Sequence, residues 1–136
     1  MCFPLLKSDG ERYIKRLPFS EVMVNIDECK NEAGEILRDD IKKIIPYQDP
    51  FLFIDKVTKL DKKSIIAEKT VREDEDYLKG HFVDFPIMPG ALIFEGLGQA
   101  ATLLIRYNIP DHEKKDVLAY KIRSAKFFSR HLQDTR

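Results

Sequence analysis

Gly80-His-Phe-Val-Asp-Phe-Pro-Ile-Met-Pro-Gly-Ala-Leu-Ile-Phe-Glu-Gly-Leu-Gly-Gln-Ala100 reads as a loop that runs into a buried helix. Pro86 and Pro89 fix φ and remove N–H donors, so regular structure cannot begin before Gly90. From Ala91 to Asn108 nothing breaks a helix, roughly 25 Å long at about 1.5 Å per residue, and Pro110 closes it. Between Ala91 and Ile105 the polar residues are Glu95, Gln99 and Thr102. Their spacing (i, i+4, i+7) puts all three on one face. The other residues are apolar or glycine, which predicts a helix buried in the middle of the domain. Gly96 and Gly98 each cost about 1 kcal/mol relative to Ala in a helix interior. Their presence predicts that another backbone approaches closely, as a strongly bent sheet wrapped round the helix would.

A carboxyl group withdrawn from water is favoured in its neutral form, and a carboxyl kept neutral near pH 7 is a general acid. The helix pattern alone leaves Glu95 two roles: that acid, or a carboxylate in an ion pair or at a wet interface. His81 is the one histidine in apolar company; His112, in Asp-His-Glu-Lys-Lys, and His131, in Arg-His-Leu-Gln-Asp, look like solvated residues. Imidazole titrates near neutrality and suits a general base, although a lone histidine equally fits a structural role. The prolines keep His81 and Glu95 off a shared helical face, so the loop folds back or the two meet across a subunit boundary. Gly90 stands where the first N–H groups of a helix lack partners and carry the positive end of its dipole. That suits polarising a carbonyl, and it equally suits a routine Pro-Gly helix entry.

Upstream, Asp39 or Asp40 can cap a short helix with Ile41, Ile44 and Ile45 on its apolar face, ended by Pro46. Two strands follow, Phe51–Leu60 and Ser64–Arg72, joined by a hairpin connection at Asp61-Lys-Lys63. The acidic run Glu73-Asp-Glu-Asp76 reads as a solvated turn; it lacks the spaced oxygens and the glycine of a calcium loop. A last strand is predicted over Val117–Phe128. Residues 1–38 differ in character. They hold one strand-like run, Glu21–Asp27, and a turn in which Gly34 can take φ > 0, and they read as an extension packed on the domain.

The chain of 136 residues is the size of one domain with a real core. Its 43% hydrophobic and 34% charged residues exclude disorder and a disulfide scaffold. Lys and Arg total 23, as do Asp and Glu, and that balance argues against a nucleic-acid or anionic-membrane binder. Cys2 and Cys29 have no metal-ligand spacing and read as reduced thiols in a cytoplasmic setting. No apolar stretch reaches the ~18 residues of a membrane span, and no signal peptide is evident.

The Gly80–Ala100 stretch closely resembles the signature of FabZ-type 3-hydroxyacyl-[acyl carrier protein] dehydratases of the hotdog fold. Ile41–Val57 resembles that family's N-terminal helix and first strand, and the likeness runs over roughly residues 39–128. The resemblance implies an α+β hotdog domain over 39–136, an antiparallel sheet wrapped around one long helix, after the extension 1–38. It implies His81 as catalytic base and Glu95 as catalytic acid; Asp at that position marks the FabA-type dehydratase-isomerases. Gly90 matches the glycine whose N–H binds the thioester carbonyl, Gln99 the glutamine that holds the carboxylate, and Phe82 and Ala91 adjoin them in the substrate site. No metal or organic cofactor is implied, since the phosphopantetheine arm belongs to the substrate. The partners implied are acyl carrier protein and a second copy, as a homodimer or a trimer of dimers whose sites take the histidine from one chain and the acid from the other.

Val83 departs from the family's usual proline, Tyr47-Gln48 replace His-Arg, and the small Gly96 and Gly98 would widen an acyl tunnel. The family's pattern continues beyond the segment Ser124–Phe128 into further sheet strands, whereas this sequence stops at Arg136. Two expectations follow: a chain whose C-terminal strands are missing, or one in which Glu21–Asp27 supplies a strand instead. The alternative readings are a polyketide dehydratase or thioesterase on the same fold, and a non-catalytic hotdog module binding acyl groups or partners. Lys121, Arg123, Lys126 and Arg130 form either a docking surface for an acidic carrier or a solvated strand edge.

Overall fold

Strand β1 (Ile36–Leu37) leads directly into helix α1 (Arg38–Ile44), and strands β2 (Lys56–Leu60) and β3 (Ile65–Glu68) precede the long helix α2 (Gly90–Asn108). The computed structural model describes residues 24–119 and 121–127. The three strands form one antiparallel sheet in the order β1-β2-β3, with a bulge between Val57 and Lys59. Ile36, Ile41, Ile44, Ile45, Leu52, Ile54, Val57 and Leu103 are buried between this sheet, α1 and α2. The branched side chains favour the strands, and their removal from water at about 25 cal/mol per Å² supplies the driving force.

The hairpin between β2 and β3 forms as expected. Asp61 accepts the N–H groups of Lys63 and Ser64 and the Ser64 hydroxyl, a side-chain turn of the kind aspartate favours. Gly34 takes φ 79° in the turn before β1. In the acidic run Glu73, Asp74 and Asp76 face solvent, but Glu75 is largely buried against Lys69.

Several expectations need correction. Leu37, which has no capping side chain, is the N-cap of α1; Asp39 and Asp40 lie in its first turn, where they favour the dipole. Strand β2 starts five residues later than Phe51 because side chains take the backbone groups a ladder would have used. Gln99 bonds the Phe51 carbonyl and the Phe53 N–H, and Arg38 bonds the carbonyls of Leu52 and Ile54. Strand β3 ends at Glu68, and Thr70 donates its N–H to Asp55 Oδ2 instead of to a strand.

Ile26 and Asp27 lie in a 3-10 helix (Ile26–Cys29), so the described part of Glu21–Asp27 is not a strand; residues 21–23 lie outside the described residues. Ile26 nonetheless joins the core, and the Tyr107 hydroxyl on α2 donates to Asp27. The described residues of Val117–Phe128 form no strand, because no neighbour offers them a ladder among the described residues; Tyr120 and Phe128 lie outside that range.

Helix α2 is covered on one side only. Leu103 is fully buried, whereas Leu97 is 62% and Ile105 42% exposed, so the helix is not enclosed all round by this sheet. The close backbone approach expected at the two glycines occurs at one. A methyl group on Gly96 would stand 3.2 Å from the Phe53 carbonyl oxygen, while one on Gly98 would meet nothing within 4 Å. Gly96→Val is therefore expected to lower stability by about 1–3 kcal/mol through overpacking against backbone. Gly98→Ala is expected to raise it by roughly 0.5–1 kcal/mol through helix propensity. Urea unfolding of the two variants checks this, and a similar sign for both would contradict it.

Lys42 and Arg38 beside Asp49 hold its carboxyl down at about 2 from an ordinary 3.8. A folded-state value below the unfolded one contributes stability that is present above about pH 4 and is lost as the pH falls through about 2. Asp49→Asn is expected to flatten the loss of stability between those limits, measured as urea midpoints. An unchanged slope would show that the two cations do not act through Asp49.

Candidate active site

Two hydrogen bonds between His81 and Ile87 close the loop that carries the histidine. The Ile87 N–H donates to the His81 carbonyl at 2.9 Å, and the His81 ring Nδ1 lies 3.0 Å from the Ile87 carbonyl oxygen. Within the loop Phe82 and Phe85 exchange a reciprocal pair of backbone bonds at 3.0 Å. The His81 N–H donates to Tyr77, in the 3-10 helix Asp76–Lys79 that precedes it. The peptide bond between His81 and Phe82 is cis, and the two rings stack with centroids 4.2 Å apart.

A carbonyl oxygen can only accept, so Nδ1 carries the ring proton in the neutral form. The lone pair is left on Nε2, and the Ile87 carbonyl fixes the orientation of the ring.

Glu95 sits one turn into α2, half-buried, and its Oε1 accepts from Gln99 Nε2 at 3.1 Å. Gln99 has no exposed surface. Its Oε1 accepts the Phe53 N–H at 2.8 Å, and Nε2 donates its second hydrogen to the Phe51 carbonyl at 2.8 Å. Both N–H groups of the carboxamide and one lone pair of its oxygen are used, and Oε2 of Glu95 takes no part in these bonds. Burial, and after it the negative charge of Glu95, holds the Tyr47 phenol above its ordinary value, so Tyr47 lies within electrostatic reach of the carboxylate.

Gly90 opens α2 after Pro89, which brings no capping side chain. The N–H groups of Leu92 and Ile93 turn back to the Pro89 carbonyl at 2.9 and 3.1 Å. The N–H groups of Gly90 and Ala91 have no acceptor within the helix, as at any helix start. Phe82 is 54% exposed, and Ala91 is exposed.

The structure thus brings Glu95 and Gln99 together, sets Gly90 and Ala91 at the helix start, and stacks Phe82 on His81. Among the described residues of one chain, no hydrogen bond or salt bridge joins His81 to Glu95. Thr102 shares their face but returns its hydroxyl to the Gly98 carbonyl at 2.9 Å, a local helix bond. Arg106, the next residue at i+4 spacing, extends the polar face further than the sequence reading took it. It is buried and donates to the carbonyls of His112 and Lys115. His112 is not solvated as expected, because its Nε2 lies 3.1 Å from the Val24 carbonyl. Lys121, Arg123 and Lys126 are exposed; His131 and Arg130 lie outside the described residues.

A mainly apolar groove of about 560 Å³ runs between β3 and α2, walled by Ile65, Ala67, Leu92, Gly96, Ala100 and Leu104 among others. His81 and Glu95 lie outside its walls. Gly96 lines the groove and Gly98 does not.

The model of the FabA-like domain matches residues 45–133, which include the histidine loop and all of α2. The chain belongs to the FabA-like domain family. The antiparallel sheet packed on one long helix is the hotdog arrangement of that family.

The chain is similar to the 3-hydroxyacyl-[acyl-carrier-protein] dehydratase FabZ of Solibacter usitatus. It is 37% identical over 89 residues, covering 65% of this chain and 55% of the relative. The dehydratase of the same name from Coxiella burnetii is 45% identical over 91 residues, covering 65% and 64%. That of Chlamydia trachomatis is 40% identical over 100 residues, covering 71% and 65%. The chain thus spans between about half and two-thirds of the length of these relatives. Among the described residues no helix is long and apolar enough to cross a membrane.

Replacing Gln99 by Leu keeps the volume but strands the Phe53 N–H and the Phe51 carbonyl. The buried Phe53 N–H left without a partner costs about 1–3 kcal/mol and the part-buried Phe51 carbonyl less, so Gln99→Leu is expected to lower stability by roughly 1–3 kcal/mol. Thr102→Val, which removes only a local bond, is expected to change it by less than about 1 kcal/mol. Chemical denaturation of both variants decides, and equal losses would show that Gln99 is not the tie between helix and loop.

Proposed function

We propose that this protein removes water from 3-hydroxyacyl chains held as thioesters on acyl carrier protein, giving trans-2-enoyl thioesters in fatty-acid or related lipid synthesis. The observation that carries the reading is the bond between His81 Nδ1 and the Ile87 carbonyl. It leaves the Nε2 lone pair oriented, and such a lone pair can take a proton from the carbon beside a thioester.

The elimination then balances with three groups. Nε2 of His81 takes the C2 proton, and the electron pair moves toward the thioester oxygen. The Gly90 N–H, at the positive end of α2, steadies that oxygen while it bears charge. The pair returns to form the C2=C3 bond, the C3–O bond breaks, and Glu95 supplies the proton with which the hydroxyl departs as water. Gln99 holds Oε1 of Glu95 and leaves Oε2 to face the leaving group. Phe82 and Ala91 border the substrate at the histidine and at the helix start.

The reaction draws on side chains and backbone only, so no metal or organic cofactor is needed. The likeness to three dehydratases named for acyl-carrier-protein substrates supports the choice of substrate. As the resemblance to FabZ-type dehydratases implies, the site is assembled from His81 of one protomer and Glu95 of its partner, in a homodimer or a trimer of dimers. Residues 39–136 are read as the dehydratase domain and 1–38 as an N-terminal extension, of which Ile26 and Ile36 are buried in the shared core. The setting is cytoplasmic.

Incubation with a 3-hydroxyacyl thioester is expected to give the conjugated enoyl product, followed by its absorbance. His81→Ala and Glu95→Gln are each expected to lower turnover by about 10²–10⁴ without loss of folded protein. Undiminished turnover in either variant would remove that residue from the mechanism.

A further inference from the structure

The ring of Phe127 lies against Gly90. A methyl group built on Gly90 would stand 3.1 Å from Cε2, 3.2 Å from Cζ and 3.3 Å from Cδ2 of that ring. Three ring carbons therefore wall the α-carbon of the residue that opens α2, and only a hydrogen fits there without the ring giving way. Phe127 is itself 53% exposed, and residues 121–126 beside it are exposed. The ring is thus no core anchor: it spends half its surface in water while covering one backbone position.

That position is where the thioester oxygen is to be held. A hydrogen bond from a backbone N–H to a developing oxyanion gains strength as water is excluded and the local dielectric falls. An aromatic ring has the flat apolar area to exclude water and few torsions to fix.

We propose that Phe127 is a positioning residue for the dehydration. Its ring walls the Gly90 end of the site, seats the thioester carbonyl on the Gly90 N–H and keeps water from that bond. This inference rests on the dehydratase reading above and assigns a role to a residue outside the histidine loop and α2.

The test compares wild type, Phe127→Ala, Phe127→Leu, Gly90→Ala and the double variant Gly90→Ala/Phe127→Ala on a 3-hydroxyacyl pantetheine thioester, with the thermal midpoint of each. Phe127→Ala is expected to lower kcat about tenfold, part of what a lost oxyanion donor costs, with KM and midpoint little changed. Phe127→Leu, which still covers Gly90, is expected to keep most of the activity. Gly90→Ala drives a methyl into the ring, so removing the ring in the double variant is expected to restore part of what Gly90→Ala loses. A wild-type kcat in Phe127→Ala, or the same loss from Gly90→Ala with and without the ring, would overturn the assignment. So would a drop in midpoint with unchanged kcat, which marks a merely structural contact. Wild-type protein inactive on every such thioester would instead bring down the dehydratase reading, and the role of Phe127 with it.

Discussion

One buried carboxamide ties the helix, the sheet and the candidate acid together. Gln99 replaces two ladder bonds that the 51–53 segment forgoes, and with its remaining hydrogen it orients Glu95. Such a group is tolerated without water only because it is fully partnered; a half-satisfied amide would cost more than an apolar side chain in its place. Gly96, one turn before Ala100, makes the reach possible. Its missing side chain lets the Phe53 backbone come within 3.2 Å of where a methyl would stand. The glycine that weakens the helix thus sets the distance across which the glutamine acts.

Arg38 pins the same segment from its other side. It holds the carbonyls of Leu52 and Ile54 and pairs with Asp49 and Asp55, while Asp55 also receives the Thr70 N–H. Residues 51–54 are therefore fixed by side chains from α1 and α2 where a longer strand would have been fixed by a neighbour. The position of Glu95 relative to the sheet depends on this pair of clamps. The histidine loop is held separately, by its own backbone exchange and the Ile87 carbonyl, so His81 and Glu95 belong to two independently supported pieces.

The parts of the fold set by local chemistry were legible in the sequence. Prolines bracketed α2 to within a residue, the Asp61 turn joined its two strands, and Gly34 took its left-handed φ. The spacing of Glu95 and Gln99 pointed to their contact, and the sequence likeness indicated that the glutamine holds the carboxylate. What was not legible depended on partners distant in sequence. The aromatic and branched residues of Phe51–Leu60 looked like one strand because nothing local announces that Arg38 and Gln99 will claim its backbone. Alternation at Val117–Phe128 likewise predicts a strand only where a neighbouring ladder exists. Gly96 and Gly98 look alike in sequence, yet only one meets a backbone. Arg106 was within reach of the same i+4 rule that found Glu95, and His112 was misjudged because its charged neighbours hid the Val24 carbonyl it bonds.

The central claim is that a base oriented by the Ile87 carbonyl and an acid oriented by Gln99 act on one substrate. A crystal structure with a non-reactive 3-hydroxyacyl pantetheine amide tests it most directly. The account predicts His81 Nε2 facing C2, one carboxyl oxygen of a Glu95 within hydrogen-bond distance of the 3-hydroxyl, and the amide oxygen on the Gly90 N–H. A ligand whose C2 and hydroxyl lie beyond reach of both side chains in every assembly would contradict it.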